Sequence, residues 1–237
     1  MMNNKYIKIY DDLVSLIQEG ELKAHAKLPS EHELAESYDT TRETIRKALN
    51  LLSEHGYIQK VRGKGSIVLD VKKFDFPISG LVSFKELASK MGQRAKTLVQ
   101  LLEVINPNDY LREQLKLKKT DKIWEVIRVR QFDEEKVILD KDFINKKMIP
   151  DLTMEVCENS IYEYIEEDLG LTISFAKKEI TVEEPTEEDH EFLDLEGYAN
   201  IVVVKNYVYL DDARLFQYTE SRHRPDKFRF VDFARRK

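Results

Sequence analysis

Two sets of side chains in this sequence have the types and spacing for recognition chemistry. The first runs from Thr41 to Leu69: Arg42, Thr44, Arg46 and Lys47 crowd the first two turns of an amphipathic segment, and Lys60, Arg62 and Lys64 follow. Six cations stand there against two acids, Glu43 and Glu54, in a chain whose net charge is -6. That local reversal of sign is what a surface meeting a polyanion requires. Arginines in the first turns of a helix can reach base edges in the major groove, while the later cations suit phosphates.

The second set lies in the other half of the chain. Trp124, Val126, Arg128 and Arg130 share one face of a strand, because side chains alternate with period two. Guanidinium forks match phosphate oxygens. Ser83-Phe84 and Ser160-Ile161-Tyr162 each open a helix, where amides and a hydroxyl can donate to an anion. Tyr218, Glu220, Arg222 and Arg224 share parity near the C-terminus, and Asp140 falls on the expected partner of the arginine strand. Carboxylates beside an anion site suit sugar hydroxyls. Plainer readings stand beside these: a solvated edge for the arginines, ordinary capping for the serines, a salt-bridge network for the acids.

No Cys/His/Asp metal spacing, nucleophile elbow or Gly-rich phosphate loop accompanies either set, so neither metal nor cofactor is expected. An enzyme acting on a sugar phosphate would need Asp140 and Glu220 as acid and base, and would leave the basic half unexplained. His190 and His223 sit among charges and read as surface residues, and the lone Cys157 as a small core residue.

The elements that position these groups follow from capping and periodicity. Tyr6 to Glu19 carries Ile9, Leu13, Leu16 and Ile17 on one stripe, and Gly20 stops it. Ser30 and Glu33 form a capping box for a helix through Tyr38. After a turn at Asp39-Thr40, one of the two threonines caps a helix whose stripe is Ile45, Ala48, Leu49 and Leu52. Gly56 suits its C-terminal cap. Tyr57–Lys60 and Ser66–Leu69 read as strands joined by a Gly-Lys-Gly turn, making a winged helix over residues 1 to 70.

Residues 71 to 79 lose periodicity and are placed as a linker, with a second domain over 80 to 237. That half offers capping boxes at Ser83/Glu86 and Ser160/Glu163, a helix over Tyr110–Leu115, and strands over Thr97–Ile105, Lys122–Phe132, Val137–Phe143 and Ile173–Glu183. A short helix, Glu187–Leu193, and a long hairpin turned at Asp211-Asp212 end it. The expected fold class is α+β, with an antiparallel sheet in the second domain.

A length of 237 residues accommodates both domains. No apolar run approaches a membrane span and the N-terminus lacks a signal core, so a cytoplasmic protein is expected. Net acidity argues against indiscriminate coating of nucleic acid, and points to a localised face doubled in a homodimer. The remaining alternative is a winged helix used for protein contact.

LPSE with a leucine three residues on, TRETIRKALNLL, HGYI and the RGKGS wing resemble the N-terminal domain of the GntR family of bacterial transcription regulators, over most of residues 6 to 69. The resemblance implies double-stranded operator DNA as partner, with Arg42, Thr44 and Arg46 at groove positions, His32 on the backbone and Lys64-Gly65 at the wing tip. Thr41, Lys47 and Arg62 complete the DNA-facing set. Residues 80 to 235, with LVSFKELA, the R-x-R strand, SIYEYIE and QYTESRHRPDKFRFVDFARR, resemble the effector-binding (UTRA) domain of the HutC subfamily. That domain has a fold similar to chorismate lyase and senses small molecules without catalysis. The resemblance implies a sugar-phosphate effector, trehalose 6-phosphate, or else another phosphorylated sugar or amino sugar such as glucosamine 6-phosphate. It implies phosphate contacts from Ser83, Arg128, Arg130, Ser160 and Tyr162, sugar contacts from Asp140 and Glu220, and Phe84, Arg224 and Phe228 at the pocket. Relatives that sense amino-sugar phosphates commonly carry Glu in place of Asp140 and a hydroxylated ring near Phe228, so the shorter acid and bare ring here suit a different or larger sugar.

Overall fold

The computed structural model describes residues 5–69, 81, 83–91, 95–228 and 230. It divides into two compact units, Met1–Ser79 with Phe230–Lys237, and Gly80–Arg229. The expected linker, 71 to 79, lies outside the described residues.

In the first unit, α1 (Lys5–Glu19), α2 (Glu31–Ser37) and α3 (Arg42–Glu54) precede a hairpin of β1 (Ile58–Val61) and β2 (Gly65–Val68). The stripes read from the sequence meet: Ile9, Leu13 and Ile17 of α1, with Leu16 half-buried beside them and Val14 added, pack with Leu34 of α2, with Ile45, Ala48, Leu49 and Leu52 of α3, and with Ile58 and Val68. The capping box of α2 is complete, Ser30 N donating to Glu33 Oε2 at 2.7 Å and Glu33 N to Ser30 Oγ at 3.2 Å. Thr41, not Thr40, caps α3. Gly56 follows the C-cap His55 with φ +77°, the left-handed position that favours glycine. Residues before α2 add an edge to the wing: Lys27 bridges Ile67, and Leu28 N donates to Ser66 O at 2.8 Å.

The second unit is built on a six-stranded, wholly antiparallel sheet. Its strands are β3 (Ala95–Ile105), β4 (Ile123–Phe132), β5 (Glu135–Asn145), β6 (Ile173–Glu183), β7 (Ile201–Leu210) and β8 (Leu215–His223), in the order β3-β4-β5-β8-β7-β6. The last strand thus enters between β5 and β7. Helices α4 (Phe84–Met91), α5 (Asp109–Leu115), α6 (Met154–Asn159), α7 (Ile161–Glu163) and α8 (Glu187–Phe192) surround it. On one face Val126 and Ile144 pack with Cys157, Ile161 and Ile165. On the other, α5 packs through Leu111 and Leu115 on Ile123, Phe143 and Tyr218, while Leu193 and Phe192 cover Ile127, Val129 and Val203. The β4–β5 turn is tighter than the expected Asp133–Lys136, because Asp133 and Glu134 both adopt positive φ, as a two-residue hairpin turn demands.

Candidate nucleic-acid interface and effector site

Thr41 Oγ1 accepts from Thr44 N at 3.2 Å and lies 3.0 Å from Thr44 Oγ1, which fixes the first turn of α3. Arg42, Arg46 and Lys47 project from it exposed, with Thr44 half-buried between them. Arg46 does not stand alone. Its Nη2 and Nε lie 3.0 and 3.4 Å from the two carboxylate oxygens of Glu31, the first residue of α2, and Arg42 Nη2 lies 4.0 Å from the same group. The bond from Arg46 holds the Glu31 carboxyl below its usual range, with Lys60 and Arg42 adding. Lys47 faces Glu43 at 3.6 Å, and His32 faces Glu36 at 3.5 Å on an exposed turn.

Lys64 N closes the wing turn on Val61 O at 3.0 Å and leaves Arg62, Gly63 and Lys64 exposed at the tip. Gly65 has φ +94°, and a Cβ there would meet Lys27 Cε at 3.1 Å. Lys60 Nζ donates to Asn50 Oδ1 at 2.6 Å, tying the wing to α3. Two groups escaped the sequence reading. Lys27 adds a cation to the wing and Glu31 adds an acid beside the groove arginines. Glu31 closes the LPSE motif at the start of α2, but neither group lies on α3 or the hairpin with the cations it meets, so the fold brings them together.

On the sheet, Arg128 and Arg130 share a face as the alternation required, but they are buried and ion-paired. Arg128 places Nε and Nη2 at 3.0 and 2.6 Å from Asp142 Oδ2, with Nη1 3.4 Å from Cys157 O. Arg130 donates from Nε to Asp140 Oδ2 at 2.8 Å and from Nη1 to Thr97 Oγ1 at 2.7 Å, and its guanidinium lies 4.7 Å from the Phe84 ring centroid. Asp142 also accepts from Gln217 and Thr219, at 2.7 and 2.9 Å, and Asp140 from Ser221 at 2.6 Å. Burial acts to raise the Asp140 carboxyl, but Arg130, Arg128 and the Ser221 hydroxyl outweigh it and hold it below its ordinary value. The two arginines thus form the buried salt-bridge network that was the plainer reading of the acids, with Asp142 and Thr97 as partners the sequence did not name, and burial excludes the solvated edge.

Ser83 and Ser160 sit at helix starts. Ser83 caps α4 in a complete box with Glu86. Ser160 Oγ accepts from Glu163 N at 3.2 Å, but the Glu163 carboxylate turns to Lys85 Nζ at 2.6 Å instead of completing the expected box. The chain then passes into a π-helical turn, Tyr164–Asp168, which nothing in the sequence announced. Burial, with the charge of Asp142, pushes the Tyr162 hydroxyl well above its ordinary value.

Register corrects one expectation, and burial alters two more. Asp140 lies opposite Ser221, so Glu220 opposes Lys141 and turns to the other face of the sheet. There it takes hydrogen bonds from Tyr218 at 2.6 Å and Tyr110 at 3.3 Å, away from the arginines. Arg224 is buried as a clamp on Asp226, Asp194 O and Glu135, at 2.7, 2.7 and 2.6 Å. His223 is buried, not superficial: its ring lies 5.2 Å from that of half-buried Phe228, and burial pushes its pKa down to about 4, against the opposing pull of Asp140. Phe84, Arg128, Arg130, Asp140 and Tyr162 remain as one neighbourhood, while Ser83 and Ser160 cap the helices that carry Phe84 and Tyr162. Among the described residues no helix is long and apolar enough to cross a membrane, and no group of three His, Cys, Asp or Glu side chains could hold a metal ion.

A winged helix with an exposed basic helix and wing, followed in the chain by an α+β unit, is the architecture of a DNA-binding transcription regulator. The chain belongs to the gntR family of bacterial regulatory proteins, whose model matches residues 5–68, and carries a UTRA domain matched over residues 90–229. It is 59% identical over 236 residues to the HTH-type transcriptional regulator TreR of Bacillus subtilis, covering 100% of this chain and 99% of that one. It is 32% identical over 232 residues to the mannosyl-D-glycerate transport/metabolism system repressor MngR of Escherichia coli, covering 98% and 96%. Among solved structures it is similar to the possible transcriptional regulator YydK of B. subtilis, with TM-score 0.81 and 27% identity over 98% of this chain and 99% of that one. It is also similar to the effector binding domain of the B. subtilis trehalose repressor, with TM-score 0.56 and 60% identity over 60% of this chain and 99% of that one.

Proposed function

We propose that this protein represses a trehalose utilisation operon, binding a palindromic operator as a homodimer and leaving it when trehalose 6-phosphate enters the second unit. The observation that carries the reading is the buried Arg128–Asp142 and Arg130–Asp140 cluster, with the Arg130 guanidinium over the Phe84 ring. The full-length likeness to a trehalose repressor supports it. A guanidinium has five N–H donors, and the hydrogen bonds above use two on Arg130 and three on Arg128. A phosphate arriving at the cluster would compete with Asp140 for Arg130, and the Asp140 carboxylate would turn to sugar hydroxyls. Because Ser221 of β8 donates to Asp140, that exchange reaches the centre of the sheet. Release follows only if the effector binds one arrangement of the two readers better than the other.

The test is fluorescence anisotropy of a labelled duplex from the gene's own upstream region, titrated with protein and then with trehalose 6-phosphate, trehalose and glucosamine 6-phosphate. Trehalose 6-phosphate alone is expected to release the duplex; release by glucosamine 6-phosphate alone would move the effector to the amino sugars. Arg46→Glu should abolish specific binding, and retained operator affinity would sink the groove assignment. Arg130→Gln should bind the duplex and fail to release it.

A further inference from the structure

The groove face contains a carboxylate where a polyanion is to dock. Glu31 is 27% exposed at its side chain and receives both arginines that the fold offers to the major groove, Arg46 at 3.0 Å and Arg42 at 4.0 Å. Such a group repels phosphate wherever the protein lands, so it weakens binding to every sequence unless it contributes something on the right one.

The geometry points to Glu31 as a specificity-determining residue that works by positioning Arg46. A guanidinium presents two pairs of parallel donors: a side pair on Nε and Nη2, and an end pair on Nη1 and Nη2. Glu31 takes the side pair, its two oxygens meeting Nε and Nη2 at 3.4 and 3.0 Å. The end pair stays directed away from the carboxylate, in the form that matches O6 and N7 of guanine. Holding a long flexible side chain in that pose lowers the ordering cost of a base contact. On a wrong sequence Arg46 would have to leave Glu31 to reach a phosphate, and the carboxylate would face the backbone unpaired. Lys60, joined to Asn50 at 2.6 Å, adds a positive charge on the wing side of this pair. One residue thus favours the base contact and penalises the phosphate contact.

This inference rests on the DNA-reading function proposed above, and the experiment separates the two. A duplex is selected from a randomised library by the full wild-type chain, and binding to it and to a scrambled duplex of equal composition is measured by anisotropy over a salt series. For Glu31→Gln and Glu31→Ala, the scrambled duplex should bind severalfold tighter and the selected-to-scrambled ratio should fall by about tenfold, the scale of one bidentate base contact. Glu31→Asp should recover part of that ratio. If Glu31 acts through Arg46, Glu31→Gln should lower the ratio little further in an Arg46→Lys background. An equal shift for both duplexes, an unchanged ratio, or additive losses in the double variant overturns the inference. Failure of the wild-type chain to enrich any sequence overturns the DNA-reading function itself, and the inference with it.

Discussion

Asp142 accepts hydrogen bonds from Arg128, Gln217 and Thr219 while almost wholly buried, and each of those donors would lose its partner if the carboxylate went. Removing one member of a buried pair strands the other charge, at a cost of about 3–5 kcal/mol. Asp142→Ala should therefore lower the unfolding free energy of the second unit by that amount. The chain's one tryptophan, Trp124, reports this unit alone: its Nε1 donates to Ile149 O at 2.9 Å and Lys146 Nζ lies 4.2 Å from its ring centroid. His223 gives a pH test on the same signal. Its pKa falls from 6.5 to about 4 on folding, so the unfolded chain binds the extra proton between those values. Stability should be full above about pH 6.5 and decline as pH drops toward 4, by up to about 1.4 kcal/mol per unit. Urea midpoints at pH 5 and pH 7 should differ in the wild type and converge in His223→Gln. Neither residue's role was legible in the sequence. Alternation along one strand placed Arg128 and Arg130 together, but which acids face them depends on pairing between strands distant in the chain.

At the scale of elements, local patterns were read well and long-range ones were not. The stripe of α3, the cap at Ser30 and the Gly-rich wing each depend on residues a few positions apart, and the structure reproduces them. The carboxylate of Glu163 had two legitimate destinations, its own helix start or Lys85, 78 residues away, and the fold chose the second. Glu220 was misassigned for the same reason: parity within β8 is visible, but its phase relative to β5 is set by Asp140 meeting Ser221. The wing makes a prediction at this scale. Gly65 holds φ +94°, a conformation that costs a residue with a Cβ about 1–3 kcal/mol, and the crowding on Lys27 Cε can be relieved by a flexible side chain. Gly65→Ala should weaken duplex binding in the anisotropy assay and leave the Trp124 unfolding transition where it was.

The whole molecule carries net charge -6 and yet presents a cationic helix and wing, so DNA affinity should come from a small number of neutralised phosphates, doubled in the proposed homodimer. The slope of log affinity against log salt measures that number, since each phosphate neutralised by the protein adds about 0.9 to its steepness. In a homodimer with half-sites about 34–36 Å apart, Lys64→Ala frees one phosphate at each half-site and should flatten the slope by about 1.8. A flattening near 0.9 would mean one reader per duplex. Within the second unit, the effector role proposed above would fall to one face of the sheet. Thr219 and Ser221 turn toward the buried arginines, while Tyr218 and Glu220 bond on the far side and Arg222 pairs there with Asp189. In a genetic screen for repressors blind to inducer, hits along this strand should therefore fall at every second codon, 217, 219 and 221, and the codons between should yield colonies that have lost the repressor at high temperature instead.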